Sequence, residues 1–213
     1  TANTLALDNY RHGRTFFIGD SAHIVPIFGV RGLNNGLADA ENIAWKLARV
    51  LKGEAGNALL DSFAEERRDA TMDVFANATK SMRFMTPPSL GWRLVRDAAL
   101  SLALDHEFAR PFANPRQMTP FLYAEGSAVL ADDPSFSGGP APGNLVPNFA
   151  LKERGYLSDK LGLGFVGLWF GAVVGGAAIA AALSDLDPTL IALAIGENGD
   201  ISDIDEQIAA GFA

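Results

Sequence analysis

Gly19-Asp20-Ser21-Ala22-His23 follows the apolar run Thr15-Phe16-Phe17-Ile18 and leads through Pro26 into Gly32-Leu33-Asn34 and a segment with helical periodicity. The apolar run predicts a strand that ends at a carboxylate. Glycines let the backbone approach a ligand closely, and the N-terminus of a helix directs unpaired N–H groups at it. This order of features predicts a binding site for a polar, partly anionic cofactor.

Residues 14–51 resemble the second flavin-binding segment of the FAD-dependent aromatic hydroxylases, the superfamily of para-hydroxybenzoate and phenol hydroxylases. Many residues recur at fixed spacings, which is more specific than a single glycine pattern. Ile27 stands where many members carry a second proline, a departure that concerns the loop shape and leaves the flavin assignment intact. The matching stretches are Gly-Asp-Ser-Ala-His at 19–23, Pro26, Phe-Gly-Val-Arg-Gly-Leu-Asn at 28–34 and Asp-Ala-Glu-Asn-Ile-Ala-Trp-Lys-Leu at 39–47.

The resemblance implies a role for five residues of this chain. Asp20 would accept hydrogen bonds from the ribityl hydroxyls of the flavin, and Pro26 would lie near the isoalloxazine ring. Backbone N–H groups around Gly32, Leu33 and Asn34 would meet the pyrimidine edge. No catalytic residue and no metal site are predicted.

These roles also make physical sense. A carboxylate can take two hydroxyl donors in charge-assisted hydrogen bonds, which are stronger than neutral ones. A helix that begins near residues 34–37 would stabilise the negative charge of a reduced flavin. We interpret His23 as a hydrogen-bonded loop histidine and not as a catalytic one.

Gly19-Asp20-Ser21 also resembles the nucleophile segment of the GDS-type serine esterases, which we keep as an alternative. A serine nucleophile needs a base within hydrogen-bond reach and an acid that orients the base. That family supplies both from an Asp-x-x-His near its C-terminus. None of the three histidines here, which are His12, His23 and His106, lies in such a motif.

Composition limits the classes of function. The chain has 213 residues, of which 48% are hydrophobic, and a net charge of −8 that disfavours nucleic acid as a partner. It has no cysteine, which excludes disulfides, thiol catalysis and thiolate metal ligands. Since no signal peptide is seen, we expect a soluble, cytoplasmic enzyme.

The fold class predicted is α/β. No Gly-x-Gly-x-x-Gly motif lies on an N-terminal βαβ unit, where it would hold the ADP half of FAD, so we expect the C-terminal portion of a flavin domain, which alone holds half a flavin site. Proline and glycine clusters predict a linker at 121–143 between that portion, 1–120, and a second domain, 144–213.

Helices are predicted over about 36–51, 59–85 and 90–104. In the first helix we expect an apolar face that includes Leu37, Ile43 and Leu51, and in the third we expect the aromatic and aliphatic residues to lie in a core. Glu66-Arg67-Arg68 is interpreted as a solvated charged face, with packing against the flavin domain as the alternative.

The C-terminal part, from Pro142-Gly143-Asn144 through 157–162, resembles the thioredoxin-like domain of phenol and phenylpropionate hydroxylases. A buried strand at 165–170, a helix at 172–183 and a strand at 189–195 give the order of a parallel βαβ unit. Without Cys-x-x-Cys a redox role is excluded, so we expect a structural role or contacts in a homo-oligomer. The alternative for 161–183, an apolar run with regularly spaced glycines, is a membrane-associated helix.

Together these features predict an FAD-dependent monooxygenase that hydroxylates a small aromatic, phenolic substrate with NAD(P)H and O₂. A non-catalytic structural fragment with a membrane-associated segment is a further alternative. The protein would position the reactants and exclude water, while the cofactor supplies the chemistry.

Overall fold

The computed structural model describes residues 4–26, 31–113, 120–123, 139–151, 154–162, 164–170, 173–186, 190–196, 199–201, 208 and 212, with side chains left out at 173–177 and 186. The chain forms two compact units, Thr1–Leu130 and Ala131–Ala213. Most of the predicted linker at 121–143 lies outside the described residues.

The first unit begins with four two-residue strands in two antiparallel pairs. Strand β1 (Leu5–Ala6) pairs with β4 (His23–Ile24), and β2 (Arg11–His12) pairs with β3 (Thr15–Phe16). The strand predicted at 15–18 is therefore shorter than expected.

A 3₁₀ turn, Gly19–Ser21, follows β3 after two residues. Gly19 has a positive φ of +55°, which ends the extended conformation. The Ser21 hydroxyl closes the turn, since its Oγ accepts from Ile18 N at 3.1 Å and donates to Ile18 O at 2.7 Å. Asp20 thus lies within a turn, and the prediction that it ends a strand was wrong.

Three long helices follow: α1 (Gly32–Leu51), α2 (Ala58–Met85) and α3 (Leu90–Asp105), and then the short α4 (Arg110–Ala113). The three predicted long helices are confirmed, but α1 begins four residues earlier than expected. Ser89 caps α3 by accepting from Trp92 N at 3.4 Å.

Helices α1 and α2 pack against each other through a largely polar face. The buried residues of α1 are Asn35, Asp39, Ile43 and Lys46. The predicted apolar face is confirmed in part: Ile43 is buried, and Leu47 and Val50 pack against the apolar cluster. It was wrong for Leu37, which is 59% exposed, and for Leu51, which is 83% exposed. Apolar packing in this unit centres on a small cluster, Tyr10, Ala22, Ile43, Leu60 and Phe63.

None of the described residues of helix α3 is buried. Trp92 is 46% exposed and Leu94 is 61% exposed. The prediction that these side chains lie in a core was therefore wrong: the Arg83 guanidinium of α2 lies over the Trp92 ring, 5.8 Å from its centroid, but Trp92 and Leu94 both remain exposed.

The second unit contains α5 (Leu157–Leu161), β5 (Val166–Phe170), α6 (Val173–Leu186) and β6 (Ile191–Ile195). Strands β5 and β6 pair in parallel, with Val166 opposite Ile191 and Phe170 opposite Ile195. The predicted strand, helix and parallel strand are confirmed, although Ala172 and Thr189 lie outside the described residues. The side chains of β5 are half-buried, less than we expected.

Packing in this unit is apolar. Its buried residues are Leu157, Ile195, Ile201 and Ile208. Gly167 of β5 leaves room for α6, since a Cβ at this position would lie 2.8 Å from Leu183 Cδ1.

The apolar run at 161–183 does not form one helix, because β5 occupies its middle. Across the described ranges, none of the helices combines the length and the hydropathy that a bilayer crossing requires.

Candidate functional site

The 3₁₀ turn that carries Asp20 packs directly on helix α1. The contact is made by two glycines, Gly19 and Gly36, and a Cβ on Gly36 would lie 3.3 Å from Gly19 Cα. Gly36 follows Gly32 by about one helical turn. The turn therefore meets α1 close to its N-terminus.

Asp39 fastens the turn to the helix. This side chain is fully buried and accepts three hydrogen bonds, from Gly19 N at 2.9 Å, from His23 Nε2 at 2.6 Å and from Arg67 Nε at 2.7 Å. One carboxylate thus connects the turn, strand β4 and helix α2 to α1.

Arg67 extends this network on α2. Its Nη2 donates to Asn35 Oδ1 at 2.6 Å, and its Nη1 donates to Tyr123 Oη. Asn35 Nδ2 donates to Thr71 Oγ1 at 3.1 Å, and Thr71 Oγ1 donates to Arg67 O at 2.9 Å. Arg67 is only 3% exposed, so the solvated charged face predicted for it was wrong; a buried guanidinium needs the counter-charge that Asp39 provides.

A second polar contact joins α1 and α2 further along. Lys46 is fully buried, and its Nζ donates to Ser62 Oγ and to Glu66 Oε2, both at 2.7 Å. Asn42 Nδ2 donates to the same Glu66 oxygen at 2.8 Å. These acceptors are needed because a buried ammonium group is costly unless it is paired and hydrogen-bonded.

Burial and hydrogen bonding act in opposite directions on these groups. Burial raises the pKa of Asp39, but the hydrogen bonds from His23, Arg67 and Gly19 outweigh it and hold the pKa below its usual value. Burial lowers the pKa of Lys46, against the attraction of Glu66. Asp39 is therefore a stable anion at neutral pH.

His23 belongs to this network and lies in strand β4. It is 1% exposed, and its Nε2 donates to Asp39 Oδ2 because a carboxylate can only accept. Its Nδ1 has no hydrogen-bond partner among the described residues. The geometry agrees with our interpretation of His23 as a hydrogen-bonded residue.

Asp20 differs from Asp39 in being solvent-exposed. Within the described ranges no hydrogen bond or ion pair engages its carboxylate. Its two oxygens are available to donors from a ligand, as the predicted role requires.

Gly32, Leu33 and Asn34 form the first turn of α1. Among the described residues, the first backbone bond of the helix runs from Asn35 N to Arg31 O at 2.9 Å, and none of these residues accepts from the N–H groups of Gly32, Leu33 and Asn34. Residue 31 provides no side-chain cap, and the first turn contains no acidic residue. These N–H groups can therefore serve a ligand.

Pro26 is buried, and the loop at 27–30, which includes Ile27 and Gly29, lies outside the described residues. The turn that carries the exposed Asp20 carboxylate thus contacts α1 about one helical turn from its uncapped N-terminus. The pair fits a ligand that has hydroxyl donors beside an electron-rich carbonyl edge, and a flavin with its ribityl chain has both.

Ser21 does not have the surroundings of a nucleophile. Its hydroxyl donates to the Ile18 carbonyl, which cannot accept a proton as a base does. The neighbouring pair of His23 and Asp39 is bonded internally through Nε2 and not to Ser21.

Residues 1–78 match a protein family described as FAD binding domain. In this match and in its relatives the chain is similar to the family of FAD-dependent aromatic hydroxylases. It is 33% identical over 175 residues to 3-(3-hydroxy-phenyl)propionate/3-hydroxycinnamic acid hydroxylase of Klebsiella pneumoniae subsp. pneumoniae, a match that covers 80% of this chain and 31% of that enzyme. It is also 33% identical over 225 residues to 4-methyl-5-nitrocatechol 5-monooxygenase of Burkholderia sp, covering 99% of this chain and 39% of the relative.

Solved structures of this family share the fold. Aklavinone-11 hydroxylase, determined as a ternary complex with FAD and aklavinone, superposes with a TM-score of 0.71 at 27% identity, over 97% of this chain and 37% of that one. RebC-10x with bound 7-carboxy-K252c superposes with a TM-score of 0.70 at 28% identity, over 97% of this chain and 40% of that one. The chain therefore spans about two fifths or less of these relatives. The α/β fold class predicted from sequence is confirmed.

Proposed function

We propose that this chain supplies the ribityl- and pyrimidine-binding part of the FAD site in an aromatic monooxygenase. The observation that carries the proposal is the exposed Asp20 carboxylate, on a turn that contacts α1, together with the N–H groups of Gly32, Leu33 and Asn34, which have no acceptor among the described residues. The family match at 1–78 supports it, because that segment contains all four residues.

Two features of the chain would act on a bound flavin. Asp20 would hold the ribityl chain by accepting from its hydroxyls, which fixes the position of the ring attached to it. The N-terminus of α1 would place about half a positive charge at the pyrimidine edge and so favour the reduced, anionic form. FAD itself, when bound, supplies the redox and oxygen-transfer chemistry.

The finer parts of the proposal follow from the relatives. Two relatives are a phenylpropionate hydroxylase and a nitrocatechol monooxygenase, which supports a small aromatic substrate. We assign NAD(P)H as the electron donor, as the family resemblance implies. We assign a flavin-domain portion to 1–120, a linker to 121–143 and a thioredoxin-like domain to 144–213. The parallel pair β5 and β6 joined through α6 supports that last assignment.

Flavin analogues of different length test the site. We would titrate the chain with riboflavin, which has a ribityl chain, and with lumiflavin, which lacks it. Asp20→Ala removes charge-assisted hydrogen bonds, so riboflavin binding should weaken by about 1.5–3 kcal/mol, whereas lumiflavin binding should not change. Asp105→Ala, at an exposed position on α3, is the matched control and should bind both as the wild type does.

Equal riboflavin affinities of Asp20→Ala and the wild type would reduce Asp20 to a turn residue and refute the proposal. The purified wild-type chain also tests whether it holds only half of the FAD site. The Gly-x-Gly-x-x-Gly pattern at 162–167 runs into strand β5 and does not join a strand to a helix, as binding of the ADP half would require. We therefore expect the chain to purify colourless and not to oxidise NAD(P)H. Stoichiometric, tightly bound FAD would contradict this.

A further inference from the structure

We propose that Gly36 and Asp39 are positioning residues that hold Asp20 in register with the unpaired N–H groups of α1. The inference rests on the proposed function, because it gives these residues a role in flavin binding. Neither residue is among those the family resemblance assigned to the cofactor. Both act through Gly19, the residue that precedes Asp20.

Asp39 fixes the position of the Gly19 amide. Its Oδ2 accepts from Gly19 N at 2.9 Å, and its Oδ1 accepts from Arg67 Nε at 2.7 Å. His23 Nε2 holds Oδ2 from a further direction at 2.6 Å. A buried carboxylate with three donors cannot rotate without breaking a bond, so the amide that it binds has one place to lie.

Gly36 sets how closely the turn approaches the helix. A Cβ at this position would lie 3.3 Å from Gly19 Cα, which is tighter than most such contacts, and the opposing atom belongs to the backbone. The turn would have to move by a few tenths of an ångström, because the helix is the more rigid partner. Movement of Gly19 would lengthen its bond to Asp39 and displace Asp20.

Gly36→Ala therefore separates positioning from stability. Alanine is the better helix former, so the substitution favours α1 while it moves the turn. The ion pair between Asp39 and Arg67 stays intact. A residue with only a structural role would change stability and binding in the same direction, whereas a positioning residue would not.

The control is Gly91→Ala in α3. Gly91 also lies in a helix, and a Cβ there would meet nothing closer than Ser89 Oγ at 3.9 Å. The difference between Gly91→Ala and the wild type therefore measures the effect of helix propensity alone.

We would measure thermal unfolding and the affinities for riboflavin and lumiflavin in the 213-residue chain. We expect Gly36→Ala to unfold at the wild-type temperature or above it and to bind riboflavin about three- to tenfold more weakly, as the loss of well-placed hydrogen bonds would produce. Gly91→Ala should bind as the wild type does.

Amide hydrogen exchange at Gly19, followed by NMR, reports the turn directly. Exchange should be faster in Gly36→Ala and in Asp39→Asn, which keeps the shape of the side chain but not its charge, and unchanged in Gly91→Ala. Faster exchange with wild-type riboflavin affinity would overturn the positioning role alone. A wild-type chain that does not bind riboflavin at all would overturn the proposed function, and the positioning role with it.

Discussion

The interface of α1 with α2 and the packing of β5, α6 and β6 show two ways of building a core. The first is organised by buried charges, Asp39 with Arg67 and Lys46 with Glu66. The second is apolar, around Leu157 and Ile195. All the buried polar and charged side chains of the described residues lie in the first unit.

The difference concerns what each core demands of its residues. An apolar core requires volume and shape, and it tolerates exchanges between side chains of similar size. A buried polar network requires every donor and acceptor, because a single deletion leaves its partner unpaired. The first unit should therefore be the more sensitive of the two to small chemical changes.

The largest effect is expected from Asp39→Ala. It leaves the Arg67 guanidinium buried without a counter-charge and should lower the free energy of unfolding by about 3–5 kcal/mol. Asp61→Ala is the control, since Asp61 pairs with Arg11 at 2.7 Å with a side chain that is 69% exposed. That loss should stay below about 1 kcal/mol in urea denaturation. Equal losses would remove the distinction between the two kinds of core.

A pair of near-isosteric changes sharpens the comparison. Thr71→Val keeps the volume but removes the hydroxyl that accepts from Asn35 and donates to Arg67 O, at a cost of about 1–3 kcal/mol. Ile195→Val removes one methylene group from the apolar core and should cost about 0.5–1.5 kcal/mol. Chemical denaturation of both variants is the measurement, and a greater loss in Ile195→Val would contradict our description of the polar core.

Acid should affect the two units differently. The pKa of Asp39 is lower in the folded chain than its ordinary value of 3.8, so its contribution to stability is complete above that value and is lost as the pH falls through the folded pKa. Hydrogen exchange by mass spectrometry, between neutral pH and pH below 3.8, should show α1 and α2 losing protection before β5 and β6. In Asp39→Asn this loss should be smaller. Simultaneous loss in both units would contradict the prediction.

The sequence predicted the second unit well, because β5 and β6 are apolar runs separated by a helix-forming segment. The polar face of α1 was not predicted, because each of its residues is also typical of a solvated surface. One signal was present. Asn35, Asp39 and Lys46 recur at helical spacing with Ile43, whereas Leu37 lies about 160° away from their mean direction around the helix axis.

The early start of α1 was also not predictable from local preference. Residues 32–36 include two glycines and two asparagines, which are weak helix formers. Tertiary contacts hold this turn instead, through Asn35 with Arg67 and through Gly36 with Gly19. The five predicted cofactor residues came from the family resemblance, and their roles stay a prediction.

The N-terminal ends of α1 and α3 differ in capping, and this difference has an evolutionary consequence. Ser89 caps α3, whereas Arg31 at the start of α1 offers no side-chain cap. Arg31 has a helical backbone conformation, with φ −93° and ψ −11°, so a serine or aspartate cap there would require the extended backbone that Ser89 has. Such a cap contributes about 1 kcal/mol of stability. It would occupy N–H groups that the proposed flavin site uses. Under the proposed function, selection for a more stable protein and selection for a tighter cofactor site therefore compete for one turn of helix.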